Sequence, residues 1–242
     1  MFGFIVTTHF NNYKTIKKCL DLLINSIPID SYIILYVNET TCKKVLNIKN
    51  EYTQNNFEVI YISDQKKNNG LTGTWNQGIN RLLSKELIKT NNFNCKVITI
   101  LGHDTFVNSS ITYILDAALK AQENKELSYF GPLYKSSKEN NFLLWQDEFK
   151  YKSYVNKNNC LYFKYIVGSF FTIPVNTLIK NIFYKSLFSN NHQYFDEDKY
   201  PFGYNEVDFN KRLRNIKGKS IIIPECIIEH TTIQSWKLLE IV

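Results

Sequence analysis

Short apolar runs alternate with stretches of helical periodicity through the first half of this chain, and that alternation limits the fold more than any other feature. A strand covered on both faces reads as a continuous apolar run, whereas a helix lying on a sheet needs only one apolar stripe. Residues 2–8, 32–37, 57–62 and 97–101 are runs of the first kind. Ile16, Cys19, Leu20, Leu23 and Ile24 recur at helical spacing over 15–26, closed by Pro28. Leu71, Trp75, Ile79, Leu82 and Leu83 do the same after Gly70, and Ile111, Ile114, Leu115 and Ala118 after the fourth run. The pattern predicts an α/β fold around a mostly parallel sheet, with polar residues at the strand ends where open sheets bind ligands.

The second half is less regular. Residues 129–133 and 162–173 read as strands, 175–187 and 206–216 as helices, and 220–229 as a strand interrupted by Pro224. The polar and aromatic stretch 135–159 joins the first two strands, and a connection that long inside a compact domain is usually functional. No internal repeat or low-complexity linker breaks the chain, so its 242 residues are expected to form a single domain.

Composition narrows the function classes. No apolar run approaches the roughly 20 residues of a membrane helix, and the N-terminus lacks the basic-then-apolar pattern of a secretory leader. A cytoplasmic location without a transmembrane segment is therefore expected. The five cysteines are scattered with no Cys-x-x-Cys pair, which favours buried reduced thiols over disulfides or a zinc knuckle. The net charge of +7 suggests nucleic acid, but Arg81, Arg212 and Arg214 are the only arginines. Phosphate forks and base readout rely heavily on arginine, so no nucleic-acid partner is expected. Weak peripheral contact with an anionic membrane, or with phosphorylated ligands, stays open.

Four constellations can carry chemistry. Gly70, Gly73 and Gly78 stand at the start of a helix, where backbone can approach a ligand, although an ordinary turn and cap explains the spacing as well. Gly102-His103-Asp104 ends the fourth strand, which places a hard oxygen ligand for Mg²⁺ or Mn²⁺ at the sheet edge; a turn cap is the alternative. Asn205, as N-cap, puts Glu206 in the first helical turn, either as a dipole-stabilising acid or as a general base. Asp208 and Arg212 have the spacing of a helix ion pair. His230 closes the last strand, structural if alone and a second metal ligand if it meets Asp104.

Taken in order, these segments resemble the family-2 glycosyltransferases of GT-A fold, in particular a rhamnosyltransferase-like branch. The likeness covers nearly the whole chain: Thr7-Thr8-His9-Phe10-Asn11-Asn12 with Cys19-Leu20, then Asn68-x-Gly70 with Asn76-x-Gly78, Gly102-His103-Asp104, Asp196-Glu197, Asn205-Glu206-Val207-Asp208, and His230. The resemblance implies one GT-A-type domain. Residues 1–108 would form a Rossmann-like nucleotide-sugar-binding half, and residues 109–242 the acceptor and catalytic half. It implies an inverting transferase that moves a hexosyl or deoxyhexosyl group from a UDP, dTDP or GDP sugar to a hydroxyl on a glycan, lipid or protein. Glu206 would be the catalytic base. Thr8, Phe10, Asn38, Glu39, Gly70, Asn76, His103 and Asp104 would bind the donor. Trp145, Asp196 and Asp208 would serve the acceptor, and Asp104 with His230 would hold Mn²⁺ or Mg²⁺. Only one carboxylate stands in the metal motif, so the alternative is a binding protein of the same fold without turnover.

Overall fold

Each apolar run of the first half becomes a strand, and all but the run that starts at Phe57, which is partly buried at the edge of the sheet, are covered on both faces. The computed structural model describes residues 1–9, 13–38, 42–52, 56–62, 70–136, 142–143, 154–155, 161–163, 170–185 and 192–230. In chain order the first half contains β1 (Phe2–His9), α1 (Tyr13–Ser26), β2 (Tyr32–Asn38), α2 (Lys43–Leu46), a 3₁₀ turn (Ile48–Glu51), β3 (Phe57–Ile62), α3 (Gly70–Leu82), α4 (Lys85–Asn91) and β4 (Val97–Gly102). There follow β5 (Thr105–Phe106), α5 (Ile111–Glu123), β6 (Ser128–Ser136), β7 (Phe142–Leu143), β8 (Tyr154–Val155), β9 (Leu161–Phe163), β10 (Phe170–Pro174), α6 (Val175–Lys180), α7 (Asn205–Asn215) and β11 (Lys219–His230).

These strands join one mixed sheet in the order β3-β2-β1-β4-β10-β6-β11-β9-β8, with β5 on β11 and β7 on β6. β1 runs parallel to β2 and β4, and β2 parallel to β3. β10 is antiparallel to both β4 and β6, and β6 is parallel to β11. The strands β3, β2, β1, β4, β6 and β11 therefore all end at the same sheet edge. This is the GT-A arrangement, a Rossmann-like parallel half continued by mixed strands.

Side-chain alternation divides the core between the two faces. Phe4 and Val6 of β1 face the layer built by Ile16, Leu20, Ile111 and Leu115, while Ile5 faces Trp75, Ile79, Phe195 and Phe209. A polar pair across the centre, Thr99 Oγ1 and Thr172 Oγ1 at 2.9 Å, satisfies itself. The described cysteines, Cys19, Cys42, Cys95 and Cys226, are reduced thiols outside any disulfide, and burial pushes Cys95 and Cys226 up to about 12.

Several second-half expectations need correction. The expected strand over 162–173 is two strands in different places, β9 beside β11 and β10 between β4 and β6. An apolar run records burial, but it does not record which neighbour provides it. The expected helix over 175–187 ends at Lys180. There the buried Asn181 bonds the Phe209 carbonyl, and Tyr184 bridges Gln193. α7 begins at Asn205 itself, with Tyr204 in the cap position in a left-handed conformation (φ 61°). Pro224 does interrupt β11: the register against β6 shifts between Ile223 and Ile227. The expected loop 135–159 contains the ends of β6, β7 and β8, and most of it lies outside the described residues.

Gly78 shows how tightly α3 sits on β1. A Cβ there would lie 2.7 Å from Ile5 Cδ1. Alanine normally favours a helix over glycine by about 1 kcal/mol, but overpacking costs about 1–3 kcal/mol. Gly78→Ala is therefore expected to lower stability in chemical denaturation, against the helix-propensity trend.

Candidate active site

The shared sheet edge collects Thr8, Asn38, His103, Asp104 and His230. After β4 the chain turns through His103 and Asp104, and the His103 N–H donates to the Thr7 carbonyl at 3.0 Å, tying the turn to β1. β5 then lies antiparallel to the end of β11, pairing Thr105 with His230 and Phe106 with Glu229. That pairing brings His230 Nε2 to 3.4 Å from Asp104 Oδ2. The β11 bulge is held from α5: Ser110 Oγ donates to the Ile227 carbonyl and accepts its N–H, both at 3.0 Å.

Burial alone would raise the Asp104 carboxyl. The hydrogen bond from His230 and the charges of His230 and His103 outweigh it and hold Asp104 below its ordinary value. Asp104 is thus the anionic half of the pair. Among the described residues no group of three or more His, Cys, Asp or Glu side chains forms a complete metal cage. Asp104 offers the carboxylate oxygen that a hard divalent ion prefers, and the His230 imidazole, a softer ligand, stands at the spacing of a neighbouring position: adjacent ligands around an octahedral Mg²⁺ lie about 3 Å apart, and such ions commonly complete their shell with water and phosphate oxygens.

Glu206 approaches from the N-terminus of α7. Its side chain is partly buried, and burial pushes its carboxyl up to about 7, only partly offset by a hydrogen bond from its own N–H. The buried tyrosines Tyr129 and Tyr134 of β6 lie within electrostatic reach of it. Tyr134 also joins the two groups: Asp104 and Glu206 both act on its phenol, and its ring meets the His230 ring edge-on at 6.0 Å. The Tyr134 hydroxyl is fixed by the Phe170 carbonyl and N–H at 3.1 and 3.2 Å. Nothing in the sequence marked Tyr134, because an aromatic residue in a buried strand carries no signal of its own.

At the ends of β1 and β2, Thr8 Oγ1 and Asn38 Oδ1 are buried without a hydrogen-bond partner. Asn38 Nδ2 makes one long bond, 3.4 Å, to Thr74 Oγ1. Buried polar atoms without a partner are rare in folded proteins, and these two stand at the ends of adjacent strands. Phe10, Glu39 and Trp145 lie outside the described residues.

The other expected site residues are occupied by the protein itself. Gly70 has φ +65°, and a Cβ there would meet the Pro201 carbonyl at 2.5 Å. Asn76 donates to the Phe195 carbonyl and Glu197 Oε2, and accepts the N–H groups of Tyr194 and Phe195, all within 3.0 Å. These four bonds exhaust a side-chain amide, so Asn76 has none left for a donor. Asp196 Oδ1 accepts the Lys199 N–H at 3.0 Å and caps a turn. Asp208 pairs with Arg212 Nε at 2.8 Å, and Arg212 also donates to the Asn181 and Tyr194 carbonyls. Asn76, Asp196 and Asp208 thus brace the walls around the site.

The sequence model of glycosyl transferase family 2 matches residues 4–189. The chain belongs to glycosyl transferase family 2. The match includes Asp104 but ends before Glu206 and His230, so the placing of those two rests on the geometry above. No curated protein sequence matches this family 2 chain. Among solved structures it is similar to GalNAc-T7 crystallised with UDP, GalNAc and Mn²⁺, at 11% identity and TM-score 0.65, over 95% of this chain and 43% of that one. It is also similar to S. aureus TarS 1-349, at 14% identity and TM-score 0.61, over 95% and 60%. The TarS 1-349 complex with UDP-GlcNAc gives 14% and 0.60, over 96% and 58%. The family 2 chain thus spans about half the length of these structures, and at such identities the likeness is one of fold.

The carboxyl of Glu206 yields a stability prediction. Its folded value, about 7, lies above the ordinary 4.5, so between those values the folded protein binds the proton more tightly than the unfolded chain. Stability therefore falls as pH rises through this window and stays reduced above it. At 1.36 kcal/mol per pH unit the penalty is at most about 3 kcal/mol. Glu206→Gln is expected to be more stable than wild type at pH 8 by up to that amount, with the difference vanishing below pH 4, as read by denaturant unfolding at both pH values.

Proposed function

We propose that this family 2 protein is an inverting glycosyltransferase, of the rhamnosyltransferase-like branch, that moves a hexosyl or deoxyhexosyl group from a nucleoside-diphosphate sugar to a hydroxyl acceptor. The observation that carries the reading is a carboxyl raised to about 7 that shares one sheet edge, and one tyrosine, with the Asp104–His230 pair. A general base works best with a value near the operating pH. Glu206 takes the proton of the acceptor hydroxyl, whose oxygen attacks the anomeric carbon. The bond from that carbon to the diphosphate oxygen breaks on the opposite face, and the nucleoside diphosphate leaves with the electron pair.

Residues 1–108 hold the donor. Thr8 and Asn38, with their unpaired buried oxygens, contact the nucleoside, and Phe10 and Glu39, which follow β1 and β2 in sequence, are the further candidates for that contact. Asp104 and His230, beside His103, are the residues that would hold Mn²⁺ or Mg²⁺, and the ion would supply positive charge to offset what develops on the diphosphate. Residues 109–242 supply the base and the acceptor side, with Trp145 among the candidates for acceptor contact. The donor is of UDP, dTDP or GDP type, and UDP is the nucleotide in the GalNAc-T7 and TarS crystals. The acceptor hydroxyl belongs to a glycan, a lipid or a protein. Among the described residues no helix is long and apolar enough to cross a membrane.

The test combines nucleotide-sugar screening with release of nucleoside diphosphate, with and without Mn²⁺. Glu206→Gln is expected to lower kcat by about 10²–10⁴-fold while leaving the donor KM nearly unchanged. Wild-type kcat is expected to fall as pH drops below about 7, because the protonated base cannot accept the acceptor's proton. Donor binding without release of nucleoside diphosphate, in wild type, would instead identify a binding protein.

Asp104→Ala is expected to abolish stimulation by Mn²⁺ while leaving the circular-dichroism spectrum intact. Metal stimulation retained in that variant would sink the ligand assignment.

A further inference from the structure

We infer that Thr72, on α3, is a positioning residue for Glu206, acting through Asn205 to fix the first turn of α7. The inference rests on the reading of Glu206 as the base. Thr72 is fully buried on a helix that contributes no group to the proton transfer proposed above. Its N–H donates to the Pro201 carbonyl at 3.1 Å, and its Oγ1 contacts the carbonyls of Tyr200 and Pro201. The same Oγ1 accepts a hydrogen bond from Asn205 Nδ2 at 2.7 Å. Asn205, also fully buried, accepts the Glu206 N–H on its Oδ1 at 2.9 Å. One hydroxyl therefore links the segment entering α7 to the residue that holds the base.

The clamp has little freedom. Gly70 leaves no space for a side chain against Pro201. Tyr204 is held left-handed immediately before the helix, a conformation that persists in a non-glycine residue only where its surroundings impose it. On the far side Asn210 Nδ2 donates to the Glu206 carbonyl at 2.7 Å, and Asn210 Oδ1 bonds Ser220 Oγ of β11. Glu206 is thus fixed from α3 on one side and from β11 on the other. The titratable groups within electrostatic reach of its carboxyl, among the described residues, are Tyr129 and Tyr134 of β6. If the α3 side loosens, water reaches the carboxyl and its proton affinity relaxes toward the ordinary value.

The experiment is a ¹³C NMR titration of carboxyl-labelled glutamate in the intact chain, with the Glu206 signal assigned by its loss in Glu206→Gln. It needs neither donor nor acceptor. Thr72→Val is expected to lower the Glu206 midpoint by about one pH unit or more, and Thr72→Ser, which keeps the hydroxyl, to restore it. Asn205→Ala breaks the same link from the other end, keeps the Thr72 backbone tie, and carries the test if Thr72→Val does not fold. Asn80→Ala is the structural control. It removes the bonds from α3 to the His192 carbonyl and N–H, at 2.7 and 3.0 Å, and should destabilise the protein without moving the midpoint.

A midpoint unchanged in folded Thr72→Val or Asn205→Ala overturns the inference. So does an equal shift in Asn80→Ala, or a wild-type midpoint in the ordinary carboxylate range. Undiminished turnover in Glu206→Gln would instead remove the base reading and leave the titration to decide the role of Thr72.

Discussion

Two residue pairs between β5 and β11, Thr105 with His230 and Phe106 with Glu229, hold the candidate site together. Asp104 and His230 are far apart in sequence, and each alone is an ordinary strand-end residue. The chain reverses within three residues of the end of β4, and the new strand lies on β11 in the one register that sets carboxylate against imidazole. β6 completes the arrangement. It runs parallel to β11 and carries Tyr134 to the same edge, beside both the Asp104–His230 pair and Glu206.

The electrostatics of the two acidic groups diverge for reasons visible in their surroundings. Both are withdrawn from water, which raises a carboxyl. Asp104 has imidazole neighbours that overcome the effect, whereas Glu206 has only its own N–H to oppose it. Carboxyls driven apart in this way suit different tasks: one stays anionic for a cation, and the other is poised to exchange a proton. The cost is a buried carboxylate at neutral pH, a local loss of stability at the point where the proposed chemistry is done.

Much of this was legible in the sequence because parallel strands at the centre of a sheet have a plain signature. Runs such as 97–101 are apolar without alternation, so β1 to β4 and the helices α1, α3 and α5 follow from periodicity. Polar residues directly after such runs must fall at strand ends, which is why Asp104 and His230 stood out, whereas Glu206 stood out as an acid in the first turn of a helix. Asn76 stood out as well, for a different cause. Its motif spacing is real, but its amide is bound to four groups of the segment 194–197, a function that spacing cannot distinguish from ligand binding.

Hydrophobic period and strand-end polarity, both local properties, therefore determined the α/β class, the parallel half and the edge at which chemistry is placed. Tertiary structure decided the rest. It divided the apolar stretch 162–173 between two sheet positions, ended the helix after 175 at a buried asparagine bound to α7, and turned Arg212 to the Asn181 and Tyr194 carbonyls. It also selected Tyr134 and Thr72, residues with no sequence signature, as the groups that join and brace the site. The physical reason is that a buried polar group must find a partner, and which partner it finds depends on packing between segments far apart in the chain, from 28 residues for Asn181 and Phe209 to 133 for Thr72 and Asn205.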